Sequence, residues 1–317
     1  MSNRKQMSPA ARIDRDREQC VARNDMALGL TNLFRVLPDG GKRRREVALR
    51  QPWCGGEIVI QGAECSHFDQ AVLLALLAVA GQSDPLPDPG VPTADLMAAG
   101  LAVQREVVRV DTTTAALMRC AGLDPDSHGS RQALRAALRR LSGIVIEGRR
   151  GDDWAMTHLI AGAAGRGRDA VSVVLNYRLT DALLGIGSYA RINMDDYIAL
   201  ESGVARLAYA WLCAWYAGSA GVRRIGLDAL EVHVYGAATE SRKARSKRRI
   251  ALRAAMADIG AIPGWRAAVD AAGLVTVTRS DSSQNRLSGR REPAFRATPE
   301  TPKTSTSAAS SPPTEAV

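Results

Sequence analysis

The chain has 317 residues and a formal net charge of +9 at pH 7. This length is sufficient for two domains, each with its own core. The positive charge favours a polyanionic partner, while the aromatic content of 4% and the many alanines favour packed helices over a β-sandwich.

Secretion and membrane insertion are both disfavoured by the sequence. Residues 1–20 are charged throughout and lack the apolar core of a signal peptide. The most apolar run, residues 71–80, is about half the length that crosses a bilayer, so it predicts a buried helix. The five cysteines form no C-x-x-C pair. We therefore expect free thiols in a cytoplasmic protein with no membrane contact.

The two ends of the chain differ from its middle in composition. Residues 280–317 are rich in Ser, Thr and Pro, which predicts a disordered C-terminal tail, and residues 1–25 are predicted as a flexible arm. Between these ends the predicted fold class is α+β and helix-rich. It consists of two tandem winged helix-turn-helix domains, over residues 26–180 and 181–279.

The first of these domains is predicted from one series of periodic segments. They are, in chain order, a helix over 67–81, a short helix over 111–122, a helix from the N-cap Ser130 to the stop Gly143, a strand over 144–148, a turn over 149–153, a strand over 154–162 and a further strand over 170–176.

The second series repeats this order. It comprises a long helix over 195–218, a short helix over 226–236, a basic helix over 239–260, and two strands joined by a turn at 271–273. The apolar stripe predicted for the long helix consists of Leu200, Val204, Leu207, Trp211 and Trp215.

The basic helix is the main candidate for a DNA contact. Its seven cations are Arg242, Lys243, Arg245, Lys247, Arg248, Arg249 and Arg253. A helical wheel places Arg242, Arg245, Arg249 and Arg253 on one face, and Ile250, Ala251, Ala254 and Ala257 on the other side. Because no acid nearby in sequence offsets these charges, we expect DNA phosphates to neutralise them.

The third helix of the first domain repeats this pattern with fewer charges. Its predicted core side is Leu134, Ala137, Leu138 and Leu141, and its outer side carries Arg131, Gln132, Arg135 and Arg139. Arg149 and Arg150 lie in the predicted turn, where a wing would meet the DNA backbone. For all these residues two interpretations remain open, a solvated surface and a contact with DNA. The same two interpretations remain open for the basic cluster at 42–45.

Enzymatic motifs are missing from the sequence. It contains no phosphate-binding G-x-x-x-x-G-K-[ST] loop, and its four histidines show no metal-ligand spacing. The acidic pairs at 152–153 and 195–196 fit turns and helix caps. We therefore predict no catalytic residue, no cofactor and no metal.

In this order the segments resemble the replication initiator protein C (RepC) family of IncQ-type broad-host-range plasmids. The strongest similarity runs through ARINMDDYIALESGVARLAYAWLCAWY, residues 190–216, and continues through the basic helix to VTR at 277–279. Weaker matches lie at 33–45, 67–81 and 137–150. The resemblance covers about residues 20–279, and the chain departs from it before residue 33, at the Pro-rich loop 85–92 and in the tail.

The resemblance implies a protein that binds direct repeats (iterons) at a plasmid origin, opens adjacent A·T-rich DNA and brings in the replicative helicase. Primase as a further partner and self-association as an inactive dimer are left open by the sequence. Two other functions fit the residues. A winged-helix transcriptional repressor would use the same side chains, and a scaffold could dock an acidic protein on the basic helix.

Overall fold

The computed structural model describes residues 20–37, 43–44, 46–53, 56–80, 107–166, 169–185, 188–217, 219 and 221–280. The first 19 residues of the predicted arm, the Pro-rich loop and the tail from residue 281 lie outside these ranges. So do Lys42, Arg45 and Cys54.

Helices and short strands alternate along the described ranges. The helices are α1 (Met26–Leu30), α2 (His67–Ala80), α3 (Thr114–Cys120), α4 (His128–Ser142), α5 (Tyr177–Leu184), α6 (Met194–Ala199), α7 (Gly203–Trp215), α8 (Leu227–Tyr235) and α9 (Arg242–Gly260). The strands are β1 (Val21–Asp25), β2 (Phe34–Arg35), β3 (Val47–Trp53), β4 (Gly56–Gly62), β5 (Cys65–Ser66), β6 (Arg109–Thr113), β7 (Val145–Arg150), β8 (Asp153–His158), β9 (Ile160–Arg166), β10 (Ala170–Leu175), β11 (Tyr189–Asn193), β12 (Gly221–Gly226), β13 (Trp265–Val269) and β14 (Leu274–Arg279).

Helix α2 lies within the hydrophobic core. Its central residues are apolar on every side, and Leu74, Leu76 and Leu77 are fully buried. A helix without a polar face has to be covered on all sides, so the prediction of a buried helix at residues 71–80 is confirmed.

The N-terminal half of the chain contains a helix–strand–helix–helix–hairpin unit. Strand β6 follows α2 and precedes α3 and α4, and β9 and β10 complete an antiparallel sheet in the order β6-β10-β9. In this sheet Val173 of β10 stands opposite Val110 of β6 and Ala163 of β9. The hairpin β9–β10 therefore pairs with the strand that separates the first two helices of the unit.

The hairpin predicted immediately after α4 also forms, but it belongs to a different sheet. Strands β7 and β8 join β3 and β4 in a four-stranded sheet of order β3-β4-β7-β8. Ile146 of β7 stands opposite Ile60 of β4, and both side chains are buried. This apolar face draws β7 to β4, so the turn at 149–153 is separated from the sheet built on β6.

Helix α4 begins three residues earlier than predicted. Its N-cap is Ser127, whose hydroxyl accepts a hydrogen bond from the Ser130 backbone N–H at 3.3 Å. The prediction of Ser130 as the cap is wrong because Ser127 already satisfies a free N–H group of the first turn. Gly143 is the C-cap, as predicted.

The C-terminal half repeats the same unit. Strand β12 lies between α7 and α8, α9 follows, and β13 and β14 complete a sheet of order β12-β14-β13. Helix α8 and the hairpin β13–β14 are confirmed, whereas β12 was not predicted.

The long helix predicted over 195–218 is two helices, α6 and α7. The chain between them is extended at Leu200, and Ser202 caps α7 by accepting from the backbone N–H groups of Val204 and Ala205. The prediction of one helix is wrong because the serine provides a new helix start in the middle of the apolar stripe. Leu200 and Trp211 are nevertheless buried, as the stripe predicts.

The two units share one hydrophobic core. Strand β1 pairs antiparallel with β11, so that Arg23 stands opposite Arg191, and α2 packs against α7. These contacts join segments on both sides of residue 180, where the domain boundary stays a prediction.

The described cysteines, Cys20, Cys65, Cys120 and Cys213, are free thiols, as predicted. Within the described ranges, no helix is long and apolar enough to cross a membrane. In the same ranges, no group of three or more His, Cys, Asp or Glu residues could hold a metal ion.

Candidate nucleic-acid interface

Helix α9 starts at a capped and exposed N-terminus. The Ser241 hydroxyl accepts from the Ala244 backbone N–H at 3.4 Å, and Arg245 folds back to donate to the Thr239 carbonyl at 2.9 Å. The first turn contains Arg242 and Lys243 and no acid. Free backbone N–H groups and two cations therefore lie together at the N-terminal end of this helix, which is an arrangement that attracts anions.

The buried face of α9 differs from the predicted one. It consists of Leu252, Ala255, Met256 and Ile259, at the spacing i, i+3, i+4 and i+7, and packs against α7 and β13. The predicted apolar face is wrong: Ala251 is half-buried, and Ile250, Ala254 and Ala257 are exposed. The core covers only the C-terminal part of the helix, so its N-terminal turns project from the domain.

Arg248 is neutralised within the chain. It donates to Glu231 of α8 at 2.9 Å and to the Ala237 carbonyl at 2.9 Å, and its guanidinium lies over the Tyr235 ring at 4.5 Å. Glu231 is only 2% exposed, so this arginine compensates a buried carboxylate. The chain thus supplies its own counter-charge for this cation, and a DNA contact of Arg248 stays a prediction.

Arg249 and Arg253 are also held by neighbouring elements. Arg249 forms a two-pronged ion pair with Asp228 of α8, with N–O distances of 2.7 and 2.9 Å from Nη2. Arg253 donates to the Asp270 carbonyl at 3.0 Å, at the turn between β13 and β14. These arginines tie α9 to α8 and to the hairpin, which fixes its orientation.

The remaining cations of α9 are available to a ligand. Arg242, Lys243 and Lys247 are exposed, and no other part of the described chain supplies them with a hydrogen-bond or ion-pair partner. Together with Ser246 and Ile250 they line an open concavity. We call these five residues the outward face of α9.

Helix α4 has the predicted amphipathic arrangement. Leu134, Ala137, Leu138 and Leu141 are its buried residues. Arg135 and Arg139 are exposed, and within the described residues neither has a partner. The predicted outer side therefore exists, with these two arginines as its free charges.

The two other predicted residues of α4 have local partners. Arg131 donates to the Pro125 carbonyl at 3.1 Å, and Gln132 contacts the His128 ring at 3.1 Å.

Near these residues, the predicted basic cluster at 42–45 has a structural contact. Arg43 donates to the buried Asp69 at 2.8 Å, and Arg140 of α4 reaches the other oxygen of that carboxylate at 2.6 Å. Together they hold the pKa of Asp69 below its usual value despite the opposing effect of burial. Arg43 therefore anchors its segment to α2 and α4.

The hairpin β7–β8 places its two predicted arginines differently. Arg149 pairs with Glu147 of the same strand at 2.6 Å and lowers the pKa of that carboxyl. Arg150 is exposed beside Gly151, which adopts the left-handed conformation of the turn with a φ of 61°. Of the two, only Arg150 is free of a carboxylate partner within the residues that the structure describes.

The structure adds two cations that were not predicted. Arg224 of β12 and Arg266 of β13 are exposed on the outer side of the C-terminal sheet. The alternation of β12, in which Arg223 is half-buried and Arg224 exposed, is the signal that could have identified the first.

The chain is similar to a known protein family over most of its length. The family described as Replication protein C (RepC) matches residues 17–281. No curated protein sequence matches the chain.

Solved structures of similar fold include two crystal structures of domains 2 and 3 of RctB, one of them from selenomethionine derivatives. They have TM-scores of 0.52 and 0.51 and sequence identities of 11% and 10%. Each covers 81% of this chain and 98% of the RctB chain. At this identity the similarity concerns the fold.

Proposed function

Because the chain belongs to the Replication protein C (RepC) family, which matches residues 17–281, we propose that it is a plasmid replication initiator. It binds double-stranded DNA at the direct repeats of an origin. The observation that carries this proposal is the outward face of α9, where three exposed cations have no partner in the described chain.

The proposal treats both units as winged helices. Each has the order helix, strand, helix, helix, strand, strand, once the inserted hairpin β7–β8, which belongs to another sheet, is left out of the first unit. In each sheet the first strand pairs with the last. In this fold the third helix enters the major groove and the hairpin reaches the adjacent backbone. The third helices are α4 and α9, and the hairpins are β9–β10 and β13–β14.

Helix α9 provides most of the affinity. Its N-terminal turns project beyond the core, so Lys243, Ser246 and Lys247 can reach a groove without displacing an ion pair. Arg242 and the free N–H groups of the first turn suit a phosphate. Each neutralised phosphate contributes roughly 0.9 to the slope of log affinity against log salt, so these three cations supply a slope of about −3.

Helix α4 provides a second contact through Arg135 and Arg139. Successive major grooves on one side of the duplex lie ~10 bp apart, so a monomer that uses both helices covers on the order of 20 bp. Tandem repeats then place several copies side by side. Their summed binding energy bends or opens the adjacent A·T-rich DNA, where the replicative helicase and primase are recruited.

A salt titration on duplex DNA tests this proposal. The variant Lys243→Ala/Lys247→Ala should lose about tenfold or more in affinity and reduce the salt slope by about 2. The matched control is Arg50→Ala/Arg109→Ala, which removes the same charge from arginines already paired with Glu57 and Asp111. Equal binding by the folded Lys243/Lys247 variant would contradict the proposal.

The initiator and the repressor make different predictions about the DNA. An initiator should protect an array of direct repeats from cleavage and make neighbouring thymines reactive to permanganate. Protection of a single promoter palindrome, with no distortion nearby, would favour the repressor. A scaffold for an acidic protein would show no steep salt dependence on DNA.

A further inference from the structure

One large apolar side chain stands among the charges of α9. Ile250 is 67% exposed, the highest value among the exposed large hydrophobic residues of the described chain. It follows Ser246 by four positions and Lys247 by three, so it lies next to them on the outward face of the helix. Together with Arg242 and Lys243, these residues line the concavity.

Ile250 contributes nothing to the hydrophobic core. The buried face of α9 starts at Leu252 and lies on another side of the helix. An exposed isoleucine forgoes the stabilisation that burial of its methyl and methylene groups would give. Isoleucine is also a weaker helix former than alanine or leucine. Single exposed apolar side chains are common on protein surfaces, and what distinguishes Ile250 is its position among the unpartnered cations of the outward face.

The major groove offers an apolar group to such a side chain. Thymine presents a C5-methyl group there, whereas its other exposed atom in the groove is a hydrogen-bond acceptor. Lys243, Ser246 and Lys247 are hydrogen-bond donors that suit the acceptors of neighbouring bases or phosphates. Ile250 is the member of the outward face that can make an apolar contact.

We propose that Ile250 is a specificity-determining residue that recognises the C5-methyl group of a thymine in the major groove. This inference rests on the proposed DNA binding by α9. The surrounding charges favour DNA over an apolar protein partner, because a protein surface covering Ile250 would also have to neutralise Lys243 and Lys247.

Replacing individual thymines by uracil tests the proposed contact between Ile250 and the C5-methyl group. Deoxyuridine pairs like thymidine and lacks only the methyl group. The site is first identified by selection from a random duplex library, and each thymine in turn is then replaced by deoxyuridine. Wild-type protein should lose about fourfold in affinity at one position, as expected for one buried methyl group.

The variants decide whether Ile250 makes that contact. Ile250→Ala should bind the thymine and uracil sites equally, while Ile250→Val should retain part of the discrimination. Val222→Ala is the matched control, since Val222 is 60% exposed on β12, outside α9. Because both side chains are exposed, the thermal melts should be unchanged.

Two results would overturn the inference. One is wild-type binding that is indifferent to uracil at every position, and the other is an Ile250→Ala variant that still discriminates at the same position. Failure of the proposed function is distinguishable from both, since wild-type protein would then select no duplex sequence. Binding of an acidic protein that depends on Ile250, without uracil discrimination on DNA, would also contradict the inference.

Discussion

Arg249 of α9 and Asp228 of α8 form an ion pair through two guanidinium nitrogens and both carboxylate oxygens. The closest N–O distance is 2.7 Å, and the side chains are 46% and 68% exposed. The carboxylate thus lies at the edge of the proposed DNA surface. It neutralises Arg249 in the free protein. In the complex, Arg249 would have to exchange this carboxylate for a DNA phosphate.

Removal of this carboxylate should strengthen DNA binding. In Asp228→Asn, Arg249 is free to contact a phosphate, so the salt slope should become steeper by about 1 and the affinity should rise several-fold. Stability should change by less than about 1 kcal/mol, because the pair is exposed. The measurement is a salt titration with a duplex site. Glu57→Gln, which removes the partner of Arg50, is the control and should leave the slope unchanged.

Substitution of two neighbouring residues of α9 should affect different properties of the protein, stability in one case and DNA binding in the other. Arg248→Ala leaves the buried Glu231 without its ion pair, so the free energy of unfolding should fall by about 2–4 kcal/mol. Lys247→Ala removes an exposed side chain and should change it by less than about 0.5 kcal/mol while weakening DNA binding.

Denaturant titration and a DNA-binding assay distinguish the two roles. Adding Glu231→Gln to Arg248→Ala should recover part of the lost stability, since the buried charge is then removed. If Arg248→Ala were as stable as wild type, the buried carboxylate of Glu231 would not require its ion pair with Arg248.

Two half-buried histidines should make stability fall in mild acid. Burial lowers the pKa of both His67 and His233, and His233 stacks on Trp211 at 4.3 Å. In the folded state both take up a proton at a lower pH than in the unfolded chain, whose histidines titrate near pH 6.5. Their contribution is therefore complete above pH 6.5 and is lost progressively below it.

Denaturant unfolding at pH 7.0, 6.5 and 5.5 measures this loss. His233→Phe keeps an aromatic ring on Trp211 and removes the titration, so its stability should depend less on pH than that of wild type. His128→Ala, at an exposed position on α4, serves as the control and should keep the full pH dependence. An identical slope for His233→Phe would contradict the assignment.

Cys20 should be the most reactive of the described thiols. Its Sγ lies 3.6 Å from that of Cys120, and this hydrogen bond lowers the pKa of Cys20 to about 7. Burial raises the pKa of Cys65 to about 12 and that of Cys213 to about 11. Because the thiolate is the nucleophile, iodoacetamide at pH 7.5 should modify Cys20 first.

Mass spectrometry of a short alkylation time course checks this order. Cys120→Ala should slow the modification of Cys20, since it removes the S–H group that donates to the Cys20 thiolate. Faster labelling of Cys65 or Cys213 in native protein would contradict the prediction.

Several features were determined by the sequence alone. Short-range periodicity predicted the buried face of α4, the helix α8 and the strands of the hairpin β13–β14, and all three formed. The order of segments indicated the RepC family, which the family match confirms. These signals are local, because a few consecutive residues carry the spacing that defines a helix face or a strand.

Other features were decided by the tertiary structure. Glu231 and Asp228 lie 17 and 21 positions before Arg248 and Arg249, and only the packing of α8 against α9 brings them together. Similarly, the hairpin β7–β8 is part of the sheet of β4 and not of the sheet of β6, because its apolar face packs beside that of β4. The sequence determined which segments were helical and which were basic. Contacts between distant segments decided which charges stayed free, because the energy of an ion pair depends on distance in space and not along the chain.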